Sequence, residues 1–177
     1  MKGISSTSVE EGSNTHSHGI GFLVHKGIVN SIMGCCPVSS RLNTIHLRVT
    51  SFDITIIQAY APTSNYDNNE LQKFYNKLQD AIDNSPKKDI LFVQGDWNAK
   101  VGVDSHTNRQ STSGPFDNAE TNERGIRLMA LSVYNSLVLT NTFSPHKASR
   151  RWTLYSPDGQ HHNPTDYILV KNDSAQD

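Results

Sequence analysis

A chain of 177 residues, 35% of them hydrophobic, is long enough to bury one sizeable core and too short to favour two. Sixteen basic against seventeen acidic side chains leave a formal charge of -1, which excludes a bulk cationic field as the means of holding a polyanion. No stretch is apolar for the roughly 20 residues that a helical membrane span needs, and the adjacent Cys35 and Cys36 are poorly placed to bridge each other, so no membrane partner and an intracellular setting, nucleus or cytoplasm, are expected.

Residues 1–17 read as a polar lead without secondary structure, and 18–177 as one domain. Gly19–His25 and Leu42–Val49 have the apolar content and alternation of strands. Asp53–Tyr60 is rich in β-branched residues and stops at Ala61-Pro62, where proline disfavours further pairing, so the strand should deliver Tyr60 to its end. Asp67 with Glu70 three residues later forms a capping-box pattern ahead of Leu71, Phe74, Tyr75, Leu78, Ala81 and Ile82 at helical spacing. Asp89–Gln94 is a compact apolar run expected as a strand buried on both faces. Val103–Thr121 has almost no periodic apolar content and reads as a long loop. Asn122 is a candidate N-cap for a second helix with Ile126, Met129, Ala130, Val133 and Tyr134 on its apolar face. Leu137–Asn141, Arg151–Tyr155 and Asp166–Lys171 are further strands, the last two flanking a Ser156-Pro157-Asp158-Gly159 turn. Strands with two interspersed helices and hairpin-like pairs give an α/β class of the α+β type, a mixed layered sandwich.

The strongest chemical constellation is Gln94-Gly95-Asp96-Trp97-Asn98-Ala99, at the end of the buried strand. A strand end opening into a loop lets a rigid sheet hold a carboxylate in place, and Asp96 and Asn98, two apart, face the same side if the chain stays extended. One can then orient water or a hard cation while the other donates to a phosphate oxygen. Asp and Asn also dominate turns, and an Asx turn that satisfies local backbone groups is the competing explanation. Tyr60 alone is equally an ordinary strand aromatic, and Asp166 a strand-start residue. His146, Lys147, Arg150 and Arg151 form a basic cluster suited to a nucleic-acid backbone or simply to a solvated loop. His16, His18, His161 and His162 lack the further ligands of a closed zinc site.

Gln58-Ala59-Tyr60-Ala61-Pro62-Thr63, Gly95-Asp96-Trp97-Asn98-Ala99, Asn122-Glu123-Arg124-Gly125, Arg151-Trp152-Thr153 and Asp166-Tyr167-Ile168-Leu169-Val170 occur in the order and spacing of the exonuclease/endonuclease/phosphatase superfamily. With the Ser156–Gly159 turn, the set resembles the endonuclease domain of non-LTR retrotransposons and the related craniofacial development protein 2-like sequences. The resemblance implies a four-layer sandwich of two packed mixed sheets flanked by helices, and hydrolysis of a DNA phosphodiester by water with Mg2+ or Mn2+. It implies that Asp96 orients or deprotonates the water, and that Asn98 steadies the phosphate and positions that aspartate. The same two residues would serve the metal. Tyr60 would contact the scissile phosphate, Asp166 would orient a catalytic histidine, and Trp152 and Thr153 would lie near the DNA groove without a catalytic role.

The family pattern also includes an early strand with an asparagine and a metal-binding glutamate, and a terminal segment with an aspartate and the general histidine. Glu10 and Glu11 stand in a Ser/Gly-rich lead without an apolar strand, and no Asp-His pair follows Val170. The expectation is a partial domain with half of its active site. A non-catalytic module that binds nucleic acid or protein, or a phosphatase of the same fold, remains the alternative.

Overall fold

The computed structural model describes residues 2–4, 20–63, 66–108, 111–116, 120–145, 154–155, 162–163 and 165–171. Its elements in order are β1 (Lys2–Ile4), β2 (Phe22–Val24), β3 (Ile32–Ser39), β4 (Leu42–Arg48), β5 (Asp53–Tyr60), α1 (Asn68–Asp83), β6 (Ile90–Asp96), α2 (Val103–Asn108), α3 (Glu123–Tyr134), β7 (Leu137–Leu139), β8 (Leu154–Tyr155), β9 (His162–Asn163) and β10 (Asp166–Lys171). Six strands form one mixed sheet in the order β3-β4-β5-β6-β10-β7, and β1-β2 and β8-β9 are two-stranded pairs. The class is α/β, as the pattern of strands and helices requires. The chain divides into two compact units, Met1–Gln94 and Gly95–Asp177.

In the first unit, β3, β4 and β5 make an antiparallel meander, with Leu42 opposite Ala59 and Arg48 opposite Asp53. Sequence reading missed β3. Gly34 and Pro37 interrupt its apolar pattern, and the ladder to β4 shifts register beside both. Strand β5 forms over the β-branched run expected for it and alternates, burying Thr55, Ile57 and Ala59. Strand β4 does not: Leu42, Asn43, Thr44 and Ile45 are all buried, so both of its faces are covered at that end. Helix α1 starts where the capping pattern places it, with Asp67 Oδ1 accepting from the Glu70 amide at 2.8 Å, and buries Leu71, Phe74, Leu78 and Ile82 at i, i+3, i+7 and i+11.

In the second unit, α2 replaces the first part of the expected Val103–Thr121 loop. Asp104 Oδ1 accepts from both the amide and the hydroxyl of Thr121, and the Ser105 and Thr121 hydroxyls lie 2.7 Å apart, so polar bonds hold this turn of helix where an apolar pattern is lacking. Helix α3 forms with Asn122 as N-cap, but of the face its apolar residues suggest only Met129 is buried. Gly125, Leu128, Met129, Leu131 and Ser132 are inside, whereas Ile126 and Tyr134 are 59% and 79% exposed and Val133 is also outside. Small residues at both ends of the buried stripe hide its period, and Ser132 satisfies its hydroxyl by donating to Leu128 O at 2.7 Å. Strand β7 pairs antiparallel with β10. Arg151–Thr153 and the Ser156–Gly159 turn lie outside the described residues, as do His16, His18, His146, Lys147, Arg150 and His161.

Candidate active site

The Gly95–Asn98 segment begins on the last residues of β6. Gly95 has φ 149, a conformation L side chains rarely adopt, and Asp96 ends the strand half-buried. Beyond it the chain does not stay extended. Asp96 Oδ1 accepts from the Asn98 amide at 2.9 Å and Asn98 turns left-handed at φ 46, a conformation asparagine tolerates better than most residues. Of the two readings the segment offered, the structure has the Asx turn and not the period-two alignment, and the turn joins Asp96 and Asn98 through one carboxylate oxygen.

Trp97 fixes that turn to the start of β10. It is 1% exposed, its amide donates to Thr165 O at 2.8 Å, and its indole Nε1 donates to Tyr167 O at 3.1 Å. These acceptors flank Asp166, so the Trp97 bonds bring Asp96, Asn98 and Asp166 to one region of the second unit. Tyr167 completes the tie: its buried hydroxyl accepts from the Val101 amide at 3.0 Å. The side chain of Asn141 pins the other side of the strand start, donating to Asp166 O at 3.0 Å and accepting from the Ile168 amide at 3.2 Å. Asp166 itself is exposed.

The Asn122-Glu123-Arg124-Gly125 motif secures the far end of the same loop. Asn122 Oδ1 accepts from the Gly125 amide at 2.8 Å and from the Lys100 amide at 3.1 Å, and the Asn122 amide donates back to Lys100 O at 3.2 Å. A Cβ at position 125 would lie 1.8 Å from Lys100 O, so only glycine lets the first turn of α3 approach the loop. One motif thus caps a helix and holds the segment that follows Asn98.

Tyr60 belongs to the Met1–Gln94 unit. It is the last residue of β5, as the following Ala61-Pro62 predicts, and half-buried. Its amide donates to Arg41 O at 2.9 Å, and the Arg41 guanidinium carbon stands 5.3 Å from the centroid of its ring. Sequence reading missed Arg41 and Asn141. The only signals were a lone cation between two strand runs and an amide at a strand end.

Among the described residues no three His, Cys, Asp or Glu side chains gather as a metal cage. Asp96 and Asn98 are hard oxygen donors, and one Asp96 oxygen is taken by the turn. Such a set fits a magnesium-type ion carried mainly by water and substrate phosphate, which commonly takes one or two carboxylates from the protein.

No family model matches the sequence. Over 154 residues the chain is 36% identical to craniofacial development protein 2 of Bos taurus and 35% identical to that of Tragulus javanicus. In each case the match covers 87% of this chain and 26% of the relative, so the chain spans about a quarter of the length of these curated relatives. Among solved structures, the endonuclease domain of TRAS1, a telomere-specific non-LTR retrotransposon, superposes with TM-score 0.50 at 15% identity, covering 76% of this chain and 52% of that one. TDP2 of D. rerio, complexed with a single-strand DNA product, superposes with TM-score 0.51 at 8% identity, covering 80% and 53%. The chain has the endonuclease/exonuclease/phosphatase fold. Across that fold, the motif positions read from the sequence fall at the end of β5, the end of β6, the start of α3 and the start of β10. Among the described residues no helix is long and apolar enough to cross a membrane.

Proposed function

We propose that this chain carries the water-activating part of a DNA-cleaving phosphodiesterase of the retrotransposon-endonuclease type, working with Mg2+ or Mn2+. The observation that carries the reading is the turn at Asp96, fixed to the start of β10 by two Trp97 hydrogen bonds. That anchoring is the preorganisation a general base needs, because a carboxylate held by the fold costs no reordering when the reaction begins. Asp96 keeps one oxygen on the Asn98 amide and uses the carboxylate to orient water and accept its proton. Asn98 donates to the phosphate, the Tyr60 hydroxyl contacts the scissile phosphate, and Asp166 orients a histidine. Asp96 and Asn98 would hold the divalent ion, which supplies charge neutralisation at the phosphate. The domain takes in residues 18–177 and also Lys2–Ile4 of the lead, which was expected without secondary structure but pairs as β1 with β2; its setting is nucleus or cytoplasm.

Asp96→Asn tests the reading, because the amide oxygen can still accept from Asn98 while the base is lost. Nicking of supercoiled plasmid with Mg2+ should fall about 10²–10⁴-fold with the circular-dichroism spectrum unchanged. Undiminished nicking by the folded variant would remove Asp96 from the site. A second reading, a module that binds nucleic acid without cutting it, draws on the Asx turn, which already engages one Asp96 carboxylate oxygen with the Asn98 amide. It predicts duplex binding with no nicking under Mg2+ or Mn2+ by the unmodified chain.

A further inference from the structure

Arg41 sits in the turn between β3 and β4, half-buried, with its backbone tied at both ends. Its amide donates to Ser39 Oγ at 3.2 Å, and its carbonyl accepts from the Tyr60 amide at 2.9 Å. The guanidinium carbon lies 5.3 Å from the Tyr60 ring centroid and 4.7 Å from that of Tyr66, and Nη1 donates to Tyr60 O at 3.4 Å. No carboxylate of the described residues pairs with it. The described ion pairs join Arg48 and Lys88 to Asp53, Lys73 to Glu70, and His46 to Asp89.

A guanidinium has five N–H donors in one plane, and only one is engaged by a described acceptor. Two aromatic rings stabilise the cation without neutralising it and restrict the orientation of its plane, so less side-chain entropy remains to be lost when an anion takes the free donors. The partner that matches a planar fork of this kind bidentately is a carboxylate or a phosphate. On a chain with the fold of nucleases, beside the tyrosine assigned above to the scissile phosphate, the fitting anion is a backbone phosphate.

We propose that Arg41, held between Tyr60 and Tyr66, binds one backbone phosphate of a polynucleotide next to Tyr60. The proposal rests on the reading of DNA as substrate, but it uses residues of the first unit only and is read by binding, so it stands or falls separately from the catalytic role of Asp96. The test is titration of the full chain with a short fluorescent DNA duplex in EDTA, between about 50 and about 200 mM salt. Arg41→Gln should weaken binding about tenfold and reduce the slope of log K against log salt by about 1. Arg41→Lys keeps the charge and should retain the slope while losing about threefold in affinity, because an ammonium lacks the planar fork. A purely structural role would lower the melting temperature and leave the slope of the folded protein unchanged. Wild-type slope and affinity in folded Arg41→Gln overturn the proposal, as does a wild-type chain that binds no DNA. Should Arg41→Gln not fold, unchanged affinity in Arg41→Lys overturns it. Full nicking by Asp96→Asn together with a reduced slope in Arg41→Gln would refute the catalytic assignment and leave this one standing.

Discussion

The Tyr167 hydroxyl accepts the Val101 amide in a fully buried setting, and its value depends on what its loss would leave behind. Tyr167→Phe removes the acceptor but not the donor, so an unsatisfied N–H should cost about 1–3 kcal/mol in urea unfolding. A loss near zero would mean that water replaces the hydroxyl. A second residue-scale prediction concerns Cys35 and Cys36. Burial, then the charge of neighbouring Cys36, push the Cys35 thiol above its ordinary range, and it donates to Asn43 Oδ1 at 3.6 Å. A raised pKa means less thiolate at any given pH, and the thiolate is the nucleophile. Cys36 is exposed, so brief iodoacetamide treatment near pH 8 should label Cys36 first, as read by peptide mass spectrometry. At this scale the sequence announced Asp96 and Asn98 with two geometries, side chains in parallel or an Asx turn, and the structure has the turn. Extended spacing suggested side chains in parallel, whereas the carboxylate's bond to a backbone amide bends the chain into a turn. A local hydrogen bond of that kind leaves no trace in periodicity.

Among elements, the ends of helices were more legible than their faces. Asp67 and Asn122 both cap as their sequence contexts suggest, because a cap is a local bond between residues three apart. The buried face of α3 was not legible, since it is set by what the helix meets. Gly125 faces Lys100 O, and a glycine and a serine stand where a pattern search looks for large apolar residues. The missed strand β3 is a similar case, its pattern broken by Gly34 and Pro37. Gly125→Ala therefore tests whether the close approach of α3 is needed. A Cβ at 1.8 Å from a backbone oxygen cannot be accommodated without moving the helix or the loop. Overpacking of this kind costs about 1–3 kcal/mol, and the displaced Lys100 should also disturb the segment after Asn98. Nicking should then fall together with the melting temperature. Ile126→Ala, on the exposed face of the same helix, should change stability by less than about 0.5 kcal/mol. Equal effects from the two substitutions would mean that the assigned inner face of α3 is wrong.

For the whole molecule, charge balance constrains how DNA can be held. Fold class was legible because hairpin-like strand pairs with two interspersed helices are patterns local to the chain, and no long-range knowledge is needed to read them. Affinity is a different matter, because a formal charge of -1 offers no general attraction to a polyanion, and it must come from a few placed cations. Among the described residues Arg48, Lys73 and Lys88 already face carboxylates, which diminishes their field at any distance. Arg41 is differently situated, stacked on two rings instead of paired. With one or two phosphates neutralised, the counterion slope should be about -1 to -2, so raising salt from about 50 to about 200 mM should weaken binding by roughly 4- to 16-fold. A protein gripping many phosphates would lose about 10³–10⁵ over the same range. Fluorescence anisotropy across that salt series separates the two. A slope steeper than about -5 would show that a broad basic surface engages DNA, and the residues to substitute would then be Lys147, Arg150 and Arg151. A shallow slope reduced further by Arg41→Gln would place the electrostatic grip at the Tyr60 end of β5, leaving sequence preference to contacts with base edges or to the shape of the duplex.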